Sequence, residues 1–372
     1  MERARLRGVT HPASRSLTTT RRLRAELLRL GARLVFGLPP LRSFLGRSRA
    51  AHTSEGLTVD EDIAVVLDLD DRKGDTSIRG KSGPVARAQF AEGIASIEAA
   101  PLATVATRDL TYPAPAGPER ARLYTPAGLA AGSPGILYVH GGGFMTCDLD
   151  THEVFCQRLA LGAQARVVSI EYRLAPEHPW PAAIDDVLAA YRWLVEAAPT
   201  LEIDAHRLAV AGESAGGHLS ALLAQTLRGD THAPVLQALI YPAVDSTCSL
   251  PSHRELGEGW LLTSDMMQVF YDAYFANHPE ERGSPRGSPL FAASVAGTAP
   301  ALVYTAGFDP LKDEGLAYAE RLRREGVPVR HHRFGRMIHG FITMTGVAPA
   351  ARVACERMAA DIGEALRGSV RP

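Results

Sequence analysis

Residues 208–219 read Leu-Ala-Val-Ala-Gly-Glu-Ser-Ala-Gly-Gly-His-Leu. The apolar run Leu208–Ala211 has the length and composition of a buried strand. Gly212-Glu213-Ser214-Ala215-Gly216 then forms a G-x-S-x-G turn, too tight for a side chain beyond glycine at either flank. From Gly217 to Leu227 a helix is expected, with Leu219, Leu222, Leu223 and Leu227 on one face. A strand, a sharp turn and a helix would project Ser214 outward, with the Ala215 N–H beside it at an electropositive helix N-terminus. Alone, the motif also suits a flexible turn, so a base, an acid and oxyanion donors must be found elsewhere in the chain.

Around this stretch two periods alternate. Strands are expected at Thr107–Tyr112, Ala121–Tyr124, Ile136–Val139, Val167–Tyr172, Leu236–Tyr241, Leu302–Ala306 and Val327–Arg333, the first two an antiparallel pair split by Pro-Ala-Pro-Ala-Gly-Pro. Helices are expected at Val154–Leu161, Ala182–Ala197, Ser264–Phe275, Lys312–Arg323 and Ala350–Leu366. Near-continuous apolar strands separated by helices predict an α/β fold, its mostly parallel sheet covered on both faces and its reactive groups gathered at the strands' carboxyl ends. Asp60–Asp71 and Val85–Ala100 predict a small helical layer at residues 51–100, ahead of the sheet domain at 101–372. The stretch at about 245–289, carrying Trp260, Tyr271, Tyr274 and Phe275, breaks the rhythm and predicts a lid inserted over the same edge.

The strand Ile136–Val139 runs into His140-Gly141-Gly142-Gly143-Phe144. Consecutive glycines permit backbone conformations that aim successive N–H groups at one point, as an oxyanion requires. No phosphate-loop spacing occurs. A serine hydroxyl needs a base, and the base needs an orienting carboxylate. Asp309 lies just past the strand Leu302–Ala306 and is the preferred acid, with Asp245 in a similar place one strand earlier and Asp313 expected to face outward. Among the histidines, His331 and His332 alternate within a strand, whereas His339 follows it beside Gly340 and can reach the turn. His339 is therefore the expected base, and the order Ser214, Asp309, His339 is that of α/β-hydrolases.

With these residues in place the chain resembles the bacterial hormone-sensitive-lipase-like family of carboxylesterases, family IV. The matching motifs are His140-Gly141-Gly142-Gly143, Glu171-Tyr172-Arg173-Leu174-Ala175-Pro176-Glu177-His178-Pro179, Gly212-Glu213-Ser214-Ala215-Gly216, Asp309-Pro310-Leu311-Lys312-Asp313 and His339-Gly340-Phe341. The resemblance implies an α/β-hydrolase fold with a mostly parallel eight-stranded sheet, flanking helices and a helical cap. It also implies Ser214 as nucleophile, Asp309 as acid, His339 as base, and the N–H groups of Gly141, Gly142 and Ala215 as oxyanion hole. Trp260 and Phe144 are expected at the substrate, and Arg173 is expected to pair with Glu177 under the active site. The implied activity is hydrolysis of short- to medium-chain acyl esters through an acyl-enzyme, with no cofactor and no metal. An amidase or lactonase would use the same groups, and a binding-only relative would lack the base. Glu213 stands where many members carry Asp, and the first hundred residues are longer and more basic than the usual cap.

Formal net charge is −1, yet residues 1–50 hold twelve Arg against Glu2 and Glu26. The basic excess thus belongs to a tail and does not predict a nucleic-acid partner. Residues 1–20 show no apolar period and are expected to be disordered or loosely docked. Leu23, Leu27, Leu30 and Leu34 form an apolar stripe among arginines, expected to pack on the protein, with peripheral contact to an anionic membrane as the alternative. Homodimer formation is left open. No apolar run approaches the roughly 18 residues of a membrane span. Thr20-Arg21-Arg22-Leu23 resembles a twin-Arg export signal, but Arg24, Glu26, Arg29 and Arg33 interrupt its apolar core. Cys147, Cys156, Cys248 and Cys355 show no paired spacing and are expected as buried thiols in a cytoplasmic protein.

Overall fold

The computed structural model describes residues 36–37, 53–74 and 77–368. The expected tail at residues 1–20 and the Leu23–Leu34 stripe lie outside the described residues. A two-residue turn joins β1 (Thr53–Ser54) to β2 (Leu57–Thr58), followed by α1 (Glu61–Arg72) and α2 (Gly83–Ile97). Asp60 caps α1 by accepting the Asp62 N–H at 3.1 Å, with acidic residues in the first turn to complement the helix dipole.

The sheet is formed by β3 (Val105–Ala114), β4 (Gly117–Pro126), β5 (Ser133–Val139), β6 (Arg166–Ile170), β7 (Ile203–Glu213), β8 (Leu236–Ile240), β9 (Ala301–Phe308) and β10 (Val329–Ile338). Among the described residues it has eight strands in the order β10-β9-β8-β7-β5-β6-β4-β3, and only β4 runs against the rest. The β3–β4 hairpin is longer than the prolines suggested. Pro113 pairs with Pro118 beyond Ala121–Tyr124, the part of β4 that joins β6, so their missing N–H groups cost the main ladder nothing.

Alternation along the buried strands supplies two cores. Ile136 and Tyr138 face α3 (Glu153–Ala163) and α9 (Pro349–Leu366), while Leu137 and Val139 face α4 (Ala182–Ala197) and α5 (Ala215–Thr226). The insertion contributes α6 (Pro251–Glu255) and α7 (Ser264–Tyr274), and α8 (Lys312–Arg324) follows β9. The α5 helix starts immediately after Ser214, two residues earlier than the apolar spacing indicated, because Ser214 itself takes the turn conformation. Among the described residues, no helix is long and apolar enough to cross a membrane.

Candidate active site

The strand-to-helix turn is held by close backbone packing. Ser214 has φ 55° and ψ −120°, a region disfavoured for a residue with a Cβ. Its N–H donates to the Ile240 carbonyl at 2.9 Å. A Cβ on Gly212 would overlap the Gly216 carbonyl, and one on Gly216 would overlap the Val139 carbonyl. Both glycines are thus required by the approach of backbone to backbone.

Asp309 follows β9, and His339 follows β10 after a bulge between Phe334 and Ile338. His339 Nε2 lies 2.9 Å from Ser214 Oγ, and its Nδ1 lies 2.9 Å from Asp309 Oδ2. Asp309 is fully buried, and its other oxygen accepts the Leu311 N–H at 2.8 Å. The Tyr241 ring packs 4.6 Å from the imidazole. The other candidates are elsewhere. The Asp245 carboxylate accepts the N–H groups of Thr247 and Ser249 and braces its own loop. Asp313, expected to face outward, accepts the Ser252 N–H at 2.9 Å and ties down α6. His331 bonds Thr305, and His332 packs edge-on to Phe334.

The glycine loop differs from expectation at one residue. The Gly141 N–H is directed to the Glu213 carboxylate, which also accepts the Tyr138 hydroxyl, and Gly141 does not line the cavity. The Gly141 carbonyl is engaged too, by His140 Nδ1 at 2.8 Å. Gly142 (φ 98°), Gly143 (φ 61°) and Ala215 line the cavity instead. Adjacent pairing of β5 and β7, with Val139 opposite Gly212, brings Gly141 to Glu213, and that register was the signal that could have identified the contact. His152 completes the arrangement, its Nε2 lying 2.8 Å from Glu213. Burial opposes ionisation of both groups, but their mutual attraction outweighs it, raising the His152 pKa and lowering that of Glu213. His140 has no such carboxylate contact, and burial depresses its pKa to about 4. A fixed carboxylate therefore locks the first peptide of the loop and leaves the next two free to face the cavity.

Above the serine lies a cavity of about 1020 Å³. Its roof comes from α1 and α2 (Val66, Leu69, Phe90, Ile94) and from the insertion (Leu262, Met267, Phe270). Phe144 lines it, stacked on Tyr274 at 3.9 Å between centroids. Trp260 does not. It is buried against Phe308 at 4.7 Å, and its successors Leu261 and Leu262 face the cavity. The Arg173–Glu177 pair is also absent: Arg173 forks onto the fully buried Asp186 at 2.7 and 2.9 Å, while Glu177 pairs with Arg87 of α2. Arg87 further donates to the Met145 and Ala175 carbonyls, each at 3.1 Å, fastening the roof to the glycine loop. All four cysteines are free thiols, three buried and Cys248 half-buried. Among the described residues no cluster of side chains is suited to hold a metal ion.

The family described as the alpha/beta hydrolase fold matches residues 136–343. The carboxylic ester hydrolase LipN of Mycobacterium tuberculosis is 37% identical over 345 residues, covering 91% of this chain and 90% of that protein. An ethyl acetate hydrolase of Pseudomonas putida is 42% identical over 62% of this chain and 73% of its own length. Among solved structures, the thermostable carboxylesterase EstE1, cloned from a metagenomic library, aligns with a TM-score of 0.73 at 38% identity, covering 80% of this chain and all of that one. A thermostable esterase from Pseudomonas putida aligns at 0.79 with 31% identity over 85% and 99% of the two chains.

Proposed function

Since the chain belongs to the hormone-sensitive-lipase-like family of α/β-hydrolases, we propose that it is a serine carboxylesterase in which Ser214 is nucleophile, His339 base and Asp309 acid. The observation carrying this reading is the unbroken relay from Ser214 Oγ through His339 to Asp309, with both contacts at 2.9 Å. His339 Nε2 takes the Ser214 proton as Oγ attacks the ester carbonyl, while Asp309 holds the ring through Nδ1 and balances the charge that develops. The tetrahedral oxyanion receives N–H groups from Gly142, Gly143 and Ala215 at the N-terminus of α5. His339 returns its proton to the leaving alcohol and then activates the water that releases the acyl group.

The roof makes the cavity a bounded chamber, which supports a preference for short and medium acyl chains. Similarity to an ethyl acetate hydrolase supports the same preference. Each methylene that fits adds about 0.8 kcal/mol until the chain meets the roof, so activity should peak at roughly four to eight carbons. The four free cysteines support a cytoplasmic setting. A panel of p-nitrophenyl esters of rising chain length, assayed beside Ser214→Ala, tests both activity and ceiling. Interfacial activation on emulsified long-chain triglycerides would overturn the bounded-chamber reading.

A further inference from the structure

The segment preceding the roof touches the two strands that deliver the acid and the base. Glu55 and Gly56 form the β1–β2 turn with φ 52° and 76°, which presents the Glu55 carboxylate toward the edge of the sheet. One carboxylate oxygen pairs with Lys312 Nζ and the other with Arg333 Nη1. Lys312 lies three residues after Asp309, and Arg333 lies on β10, six residues before His339. Among the described residues Glu55 is the one carboxylate in ion-pair reach of either cation. The Lys312 side chain is only 8% exposed, so it cannot recover full hydration if that partner is lost.

The neighbouring residues hold the bulge that precedes His339. Leu57 packs where a Cβ on Gly335 would sit, 2.6 Å from its Cδ1. The Asp60 N–H donates to the Arg336 carbonyl at 3.0 Å, and Asp60 also caps α1, whose Val66 and Leu69 line the cavity. Both functional carriers and the roof therefore converge on residues 55–60.

We propose that Glu55 is a positioning residue for the reaction: one carboxylate draws Lys312 and Arg333 together and so fixes the spacing of Asp309 and His339. The proposal rests on the catalytic roles given above. Without Glu55, two cations face each other and the segments carrying acid and base move apart. Misplacement of reacting groups by a fraction of an ångström is enough to slow chemistry severalfold while leaving substrate binding intact.

The test uses the full chain with two probes. Hydrolysis of p-nitrophenyl butyrate gives kcat and KM. Diethyl p-nitrophenyl phosphate reads His339 placement even without ester turnover: Ser214 Oγ bonds to phosphorus, p-nitrophenolate leaves, and His339 takes the serine proton. For Glu55→Gln, kcat and the phosphorylation rate should fall together by about tenfold, with KM within about twofold and a modest fall in melting temperature because Lys312 loses its counter-charge. Glu55→Asp, which keeps the charge, should retain more of both rates than Glu55→Gln. Adding Lys312→Met to Glu55→Gln removes the repulsion and should recover part of the loss. A phosphorylation rate unchanged in Glu55→Gln overturns the proposal. So does a loss accompanied by a large fall in melting temperature and no benefit from Glu55→Asp or Lys312→Met, which would make the contact purely structural. A wild-type chain that is phosphorylated yet hydrolyses no ester overturns the esterase reading and leaves the positioning test readable.

Discussion

The floor of the cavity and its roof are held by different means. At the cavity floor, Ser214 sits in a strained conformation between glycines that admit no Cβ, and Gly141 is locked on both its N–H and its carbonyl. In the roof, α2 buries only Gly83 and Ala86, and Gly93, which lines the cavity, has open space where a Cβ would be. Strain at the floor persists only because surrounding backbone over-determines it. The roof is instead attached through discrete contacts such as Arg87 to Glu177. Alterations of the floor should therefore abolish chemistry, whereas alterations of the roof should retune which ester fits.

The sharpest way to break this contrast is at the triad. Ser214→Ala and His339→Ala should each lower kcat by on the order of 10⁴-fold, and the double variant should cost little more, because the groups act as one unit. Titration of residual activity with purified variants checks this. If His339→Ala kept most activity while His332→Ala lost it, the base assignment would be wrong. Asp309→Asn should be severely impaired and Asp245→Asn should not.

A smaller effect is expected where roof meets floor. Phe270 of α7 is buried and occupies the space that a Cβ on Gly143 would enter. Phe270→Ala should cost about 3 kcal/mol of stability through the cavity it leaves. It should also move the preferred acyl chain to greater length, with kcat on short esters changed only severalfold. An unchanged chain-length profile, measured on the same ester panel, would remove Phe270 from the pocket wall.

Glu98, at the carboxyl end of α2, joins roof to floor more gently. Burial raises its pKa from the ordinary 4.5 to about 7, against hydrogen bonds from the Thr345 hydroxyl and the Ala99 N–H. Between those two values folded Glu98 keeps a proton that the unfolded chain has released, so stability from this group falls as pH rises from 4.5 to about 7. Glu98→Gln removes that loss. Relative to wild type it should gain on the order of 3 kcal/mol between pH 4 and pH 8, read from denaturant midpoints at each pH. A pH-independent difference would show that Glu98 is not buried as a neutral acid.

The least effect is expected at the tail. Deleting residues 1–20, which carry no apolar period in the sequence, should leave kcat for a small ester within a few-fold. Co-sedimentation of the intact protein with anionic vesicles separates a membrane role for the Leu23–Leu34 stripe from packing on the protein.

The strand–turn–helix around Ser214, the alternating architecture and the positions of Asp309 and His339 were all legible along the chain. Each depends on local pattern: a buried strand is an apolar run, a sharp turn needs glycine, and a reactive residue must follow a strand's carboxyl end. What the pattern could not convey was which groups face one another across the fold. Gly141 and Gly143 are alike in sequence, but the register of β5 beside β7 commits the Gly141 N–H to Glu213 and leaves Gly143 on the cavity. Trp260 looked like a pocket wall because it is large and aromatic, yet Leu261, at φ 75°, turns the chain so that Trp260 packs on Phe308. Arg173 and Glu177 are four residues apart but find Asp186 and Arg87, because a charge settles on the partner that tertiary packing places within reach. Local conformation is encoded in neighbours along the chain, whereas partner choice depends on distances that exist only after the sheet has assembled.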